Sequence, residues 1–149
     1  MLSEIERDEI YGEPKEIDGD TIIWESRGNK DRFYLKVPVR RANGEEMHLR
    51  AYYGARRYSF ALLYRGTILI RRWDFERHEN PGPDGSIFNG VPHKHKWTEE
   101  YGDEWAYTVD DVPVNDVPVN DVELALKAFL TECNISVIGP TQQSLFSIS

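Results

Sequence analysis

The sequence predicts an α+β fold: an antiparallel β-meander of about five to six strands, one C-terminal helix packed on it, and a short N-terminal helix. Three observations predict it. Between residues 32 and 75, short runs rich in β-branched and aromatic residues alternate apolar with polar positions and are separated by turn-forming pairs. Between residues 122 and 133, apolar side chains recur at helical spacing. The length of 149 residues, with 40% hydrophobic and 30% charged side chains, suits one core and is too short for two. Residues 1–138 therefore read as a single domain and residues 139–149 (GPTQQSLFSIS) as a loosely ordered tail.

Taken in order, Ser3 with Glu6 three residues on is a capping-box signal for a helix carrying Ile5 and Ile10, which Gly12 and Pro14 end. Residues 21–27 (TIIWESR) form a β-type run, and Gly28, Asn29 and Lys30 turn it into residues 32–41 (RFYLKVPVRR). There Phe33, Leu35, Val37 and Val39 share one face, and Pro38, with no N–H to donate, places the strand at an edge or a bulge. Asn43-Gly44 is a hairpin turn leading into residues 47–53, where Met47, Leu49 and Ala51 alternate with His48, Arg50 and Tyr52. After a turn at 54–57, residues 58–64 and 67–75 pair through Arg65-Gly66. Residues 105–109 (WAYTV) read as a last strand or a covering segment. The pentapeptide DVPVN then occurs twice in tandem, at 111–115 and 116–120, and Pro113 and Pro118 make it an extended linker. Asn120 or Asp121 caps the helix at 122–133, whose Val122, Leu124, Ala125, Ala128, Phe129 and Leu130 supply an apolar face for the sheet. Ile135–Ile138 follow as a short strand.

The net charge of -8 conceals a segregation. Residues 1–31 hold 4 basic and 10 acidic side chains, residues 32–77 hold 11 and 4, and residues 78–149 hold 3 and 12. A basic sheet flanked by acidic ends suits a phosphate-bearing ligand or an acidic protein partner; equally, Arg and Lys are ordinary occupants of the outer face of half-buried strands. No apolar run approaches the roughly 20 residues that cross a bilayer, so no membrane partner is expected. The start, MLSEIERDEI, lacks the apolar stretch of a signal peptide, and the single Cys133 has no internal disulfide partner. A cytoplasmic location is the expectation.

The chemistry concentrates at residues 70–97, IRRWDFERHENPGPDGSIFNGVPHKHKW. Three of the four histidines fall here, His78, His93 and His95, around a Gly/Pro loop from Pro81 to Gly85 that cannot continue a strand. His93 and His95 stand two apart on an extended segment, so their side chains are expected on one side. Imidazoles both accept and donate protons near neutral pH, and neighbouring guanidinium groups hold phosphate. Metal-free RNA cleavage needs a base for the 2′-OH, an acid for the leaving oxygen, and a cation for the phosphorane. His78, His93 and His95 supply the first two, with Asp74 to orient a histidine; Arg71, Arg72, Arg77 and Lys94 supply phosphate contacts. Asp74 paired with an arginine is the simpler structural alternative. Tyr58, Tyr64, Trp73, Phe88 and Trp97 are candidates to stack on bases, although aromatics at such spacings are more often core. No cofactor is expected on this reading. The alternative is zinc or iron, since His93, His95 and Glu99 have the His-x-His-x-x-x-Glu spacing of cupins; Lys94 and Lys96 oppose it, as does the lack of further strands for a jelly roll. His48 reads as an exposed or structural residue, and Cys133 as packing.

Tyr58-Ser59, Leu69-Ile70-Arg71-Arg72-Trp73-Asp74, His78 and Pro92-His93-Lys94-His95, followed by an acidic stretch and a terminal helix, resemble the TumE-type toxins of toxin–antitoxin modules. Those proteins carry a β-meander, a Trp-Asp motif and a Pro-His-x-His motif. The likeness runs over roughly residues 32–133 in order of elements. Where that family commonly has Asn-Ala-Pro-His-His after Trp-Asp, this chain has Phe75-Glu76-Arg77-His78-Glu79, and its loop through residues 81–90 is longer. The resemblance implies a stress or defence toxin acting on RNA and neutralised by a cognate antitoxin. A non-enzymatic module that binds a protein partner through its charged faces, as an antitoxin or a phage-encoded inhibitor does, is the alternative of a different class.

Overall fold

The structure, a computed structural model, describes residues 2–26, 32–54, 57–75, 80–81, 87–88, 93–95, 106–107 and 122–139. At 57, 75, 80–81, 87–88, 93–95 and 106–107 it describes the backbone. The capping-box signal forms as expected: Ser3 precedes α1 (Glu4–Gly12), its Oγ accepting from Glu6 N at 3.1 Å while Glu6 Oε1 accepts from Ser3 N at 3.4 Å. Ile10 is buried, but Ile5 is 72% exposed. Arg7 and Ile10 face the sheet, and a residue two positions before Arg7 points away from it at 100° per residue.

Strand β1 (Lys15–Asp18) follows, then β2 (Glu25–Ser26), β3 (Phe33–Arg41), β4 (Glu46–Gly54), β5 (Arg57–Tyr64) and β6 (Ile68–Phe75). Three short strands come next: β7 (Asn80–Pro81) pairs β8 (Ile87–Phe88) as a separate ladder, and β9 (His93–His95) returns to the main sheet. β10 (Ala106–Tyr107), α2 (Val122–Glu132) and β11 (Ile135–Ile138) complete the described elements. The main sheet runs β10-β9-β6-β5-β4-β3-β1-β11, with β2 also on β3. Its pairings are antiparallel except that of β1 with β11, which is parallel. The fold is thus α+β, with the expected meander extended by β1 and β11. The expected run at 21–27 contributes only the short β2, its Ile22 and Trp24 going instead to the core.

The turns carry the chemistry the sequence predicts. Gly44 sits at φ 89, and Asn43 Oδ1 accepts from Glu45 N at 2.9 Å. Arg65 and Gly66 take φ 52 and 79, the two consecutive left-handed residues of a tight hairpin. Contrary to expectation, Pro38 marks neither an edge strand nor a bulge in the β3–β4 ladder, for β3 lies inside the sheet and its register with β4 is unbroken. It pairs β4 along its length, whereas its other side meets β2 at Phe33 and Tyr34 and β1 at Arg40 and Arg41, leaving Pro38 between the two ladders.

The register sorts the side chains into two faces. Leu35, Val37, Val39, Met47, Leu49, Phe60, Leu62 and Trp73 are buried and lie on the face that meets both helices. Phe129 of α2 packs on Phe60 and Trp73 at ring separations of 5.8 and 5.6 Å, and Trp73 Nε1 donates to Glu132 Oε2 at 2.6 Å. α1 packs against β6, where Arg7 donates to Leu69 O at 2.5 Å.

Lys15 joins the two helices. Neither ends in a basic residue, yet Lys15 Nζ donates to Tyr11 O at 3.0 Å, to Glu13 O at 2.6 Å and to Cys133 O at 2.6 Å. An ammonium thus satisfies carbonyls that both helix ends leave open. Lys15 is 1% exposed, and burial pulls its pKa down to about 8, against the raising effects of Cys133 and Glu13. Asn134, in the left-handed region at φ 56, ends α2 and donates through Nδ2 to Gly12 O at 3.0 Å. Among the described residues no helix is long and apolar enough to cross a membrane. The tandem repeat at 111–120, the cap positions 120–121 and residues 140–149 of the tail lie outside the described residues.

Candidate nucleic-acid interface

Alternation along a strand sends every second residue to the face opposite the helices. In β3 these are Tyr34 and Lys36, in β4 Arg50 and Tyr52, in β5 Ser59 and Ala61, in β6 Arg72 and Asp74. Cross-strand pairing assembles them into two adjacent rows. One row runs Lys36, Arg50, Ala61, Arg72 and, by backbone register, His95. Its neighbour runs Tyr34, Tyr52, Ser59, Asp74 and, again by backbone register alone, His93. A cationic row therefore lies beside an aromatic and polar one, and both end at β9.

The rows line a groove of about 540 Å³ formed by Tyr34, Lys36, Arg50, Tyr52, Ser59 and Arg72 around the small Ala61. Lys36 and Arg50 are exposed, and the Tyr34 and Tyr52 rings stand 6.1 Å apart at 38°. At the β6 end Asp74 is 4% exposed and engaged through both oxygens. Ser59 Oγ donates to Oδ1 at 2.6 Å, and Arg72 Nε lies 2.8 Å from Oδ2. The Arg72 contact is an ion pair whose N–H is not aligned as a hydrogen bond. The buried carboxylate is thereby fixed in orientation beside the backbone of His93.

Asp74 pairs with Arg72, which is the simpler structural alternative for this carboxylate; the backbone of His93, Lys94 and His95 forms a strand against β6, with Lys94 opposite Trp73. Arg71 does not join them. Consecutive strand residues point to opposite faces, so Arg71 turns to the helix side, where it is 7% exposed with its Cζ 3.9 Å from the centre of the Tyr11 ring. Tyr64 is likewise withdrawn. It is 5% exposed, its hydroxyl donates to Glu45 Oε2 at 2.6 Å, and the Arg41 and Arg65 guanidinium groups approach its ring. That hydroxyl is the main cause holding the Glu45 carboxyl below its ordinary pKa. Tyr58 and Trp73 are core residues too. Tyr58 stacks on Phe60 at 4.9 Å, and burial foremost, with Asp74 second, pushes its hydroxyl pKa up to about 12.

His48 is half-buried, opposite Pro38 and Leu63, with Nε2 3.7 Å from Glu46 Oε1. Arg77, His78, Trp97 and Glu99 lie outside the described residues, and Phe88 is described by its backbone. The His93, His95 and Glu99 metal set therefore falls beyond the described side chains; among those described, no group of three such ligands meets. The residues that clustering by sequence missed are Tyr34, Lys36, Arg50, Tyr52 and Ser59. Their signal was the alternation against Leu35, Val37, Leu49 and Ala51.

Residues 2–135 match DUF6978, a family of unknown function, and the chain belongs to that family. No curated protein and no solved structure matches it.

Proposed function

We propose that this member of DUF6978 is a toxin-like, metal-independent ribonuclease whose acid and base groups sit where β9 meets β6. The observation that carries the reading is the register, with His93 opposite Asp74 and His95 opposite Arg72. Directly opposed residues of antiparallel strands are close neighbours on one face. A carboxylate already fixed by Ser59 and Arg72 is suited to hold an imidazole in one tautomer and raise its proton affinity. One histidine takes the proton of the 2′-OH as that oxygen attacks phosphorus; the other protonates the departing 5′ oxygen. Arg72 faces the charge that gathers on the phosphorane. The products are a 2′,3′-cyclic phosphate and a 5′-hydroxyl. The motif likeness to TumE-type toxins supports the same reading and adds a protein antitoxin as partner.

Purified protein incubated with a mixed RNA pool, with and without chelator, tests it. Cleavage that survives chelation, leaves 2′,3′-cyclic ends and falls at least about 10²-fold in the His93→Ala/His95→Ala variant is expected, the size of a lost acid–base group. The same variant should relieve growth inhibition in cells. Undiminished cleavage by a folded double variant would overturn the proposal, as would the absence of cleavage by the natural chain.

A further inference from the structure

We infer that the ligand of the helix-free face is single-stranded RNA lying across the strands from β3 towards β9, with phosphates along the Lys36, Arg50 and Arg72 row and bases over Tyr34 and Tyr52. This rests on the proposal above only for the choice of RNA; the binding path does not depend on the cleavage step.

The first argument is electrostatic. Lys36 and Arg50 are direct cross-strand partners, and like charges so placed oppose one another. Arg72 extends the same row, separated from Arg50 by Ala61, whose methyl group leaves the row open as the floor of the groove. An anion lying along the row relieves that repulsion. The second argument is spacing. Strands about 4.8 Å apart put Arg72 roughly 14 Å from Lys36, a span on the order of three nucleotides of an extended single strand.

The third argument concerns the neighbouring row. Tyr34 and Tyr52 line the groove beside the cations, an arrangement that serves a polyanion whose bases are free to stack. In a duplex the base faces are already stacked on one another, so a double strand forfeits these contacts. The direction follows from the ends of the rows. Asp74 and Arg72 pair with β9, so a strand seated over Tyr34 and Tyr52 delivers a phosphodiester to the histidine edge a few nucleotides further on.

A labelled 2′-O-methyl oligonucleotide, which lacks the attacking 2′-OH, reads binding apart from cleavage by fluorescence anisotropy in a salt series. The single strand should bind more tightly than its duplex. Lys36→Ala/Arg50→Ala should lower the slope of log affinity against log salt by about 1.4, or ~0.7 for each cation removed. Tyr34→Ala/Tyr52→Ala should weaken binding at least about five-fold with the slope unchanged, while Tyr34→Phe/Tyr52→Phe, which keeps the rings and guards against a folding defect, should bind normally. Tighter duplex binding, affinity indifferent to the paired cation variant, or binding of polyglutamate in preference to the oligonucleotide would overturn the inference. RNA held through these residues but left intact would refute the ribonuclease and support this path; cleavage untouched by all four substitutions would do the reverse.

Discussion

Ser59 and Asp74 face each other across β5 and β6, and the serine hydroxyl donates to Asp74 Oδ1 at 2.6 Å. The carboxylate is buried and depends on this donor and on Arg72 for part of its satisfaction. Ser59→Ala should therefore destabilise the fold by about 1–3 kcal/mol, the cost of leaving a buried acceptor short of a partner. If Asp74 orients His93, RNA cleavage should fall further than stability explains, through the turnover rate, with the pH profile displaced. Ser59→Thr, which keeps the hydroxyl, should restore both. Urea unfolding and cleavage kinetics on the three proteins check this; Ser59→Ala matching the natural chain in both would refute it.

Tyr58 reports on the same carboxylate from the core side. Its hydroxyl titrates near 12, raised first by burial and second by Asp74. Asp74→Asn removes the second cause and leaves the first, so the tyrosinate absorbance assigned to Tyr58 by a Tyr58→Phe difference should appear at lower pH, though still above the ordinary 10.0. The sign for stability is fixed by the same shift. Between pH 10.0 and about 12 the unfolded tyrosine loses its proton while the folded one keeps it, so this residue's contribution declines as pH rises through that window.

Lys15 gives the opposite slope at lower pH. Its folded pKa of about 8 lies below the unfolded 10.5, so between those values the unfolded chain binds more protons than the folded one. Stability from this group should rise with pH across the window, by on the order of 3 kcal/mol in full. The three carbonyls match the three N–H bonds of the ammonium, so the rise represents relief of burying a charge rather than a gain of contacts. Urea midpoints measured from pH 8 to 10, below the Tyr58 window, should climb in the natural chain relative to Lys15→Met. Parallel profiles for the two proteins would contradict the assignment.

The sheet faces were legible because alternation is a local property. Leu35, Val37 and Val39 against Tyr34 and Lys36, and Met47, Leu49 and Ala51 against Arg50 and Tyr52, read directly as inside and outside. The hairpin turn made the register legible as well. Tyr34 and Tyr52 stand nine residues either side of Asn43, Lys36 and Arg50 seven, and each couple is paired in the sheet. The groove itself is not legible in this way, since its members lie apart in sequence while the histidines cluster. β1 was hidden for another reason: its inward positions are Lys15 and Ile17, and a lysine reads as outward unless its carbonyl partners are known. Those partners come from Tyr11 and Glu13 at the end of α1 and from Cys133 at the end of α2, two helix ends that no local pattern connects.

Arg71 and Arg72 provide the sharpest contrast between neighbours. The register that runs unbroken from Tyr58 to Leu62 sets Leu62 opposite Arg71 and Ala61 opposite Arg72, so the first arginine shares the helix-covered face with Trp73 and the second shares the groove with Arg50. The Arg71 guanidinium is withdrawn from water and stacked on Tyr11. Arg71→Met keeps most of the apolar stem and loses the cation, so it should cost about 2 kcal/mol of stability, the value of a desolvated cation–π contact. It should leave oligonucleotide affinity and its salt slope unchanged. Arg72→Met removes a groove cation and the Asp74 ion pair together, so it should weaken binding, lower the salt slope by ~0.7 and depress cleavage. If the two variants lost affinity alike, both arginines would have to reach one ligand, which the alternation of β6 forbids without rebuilding the strand.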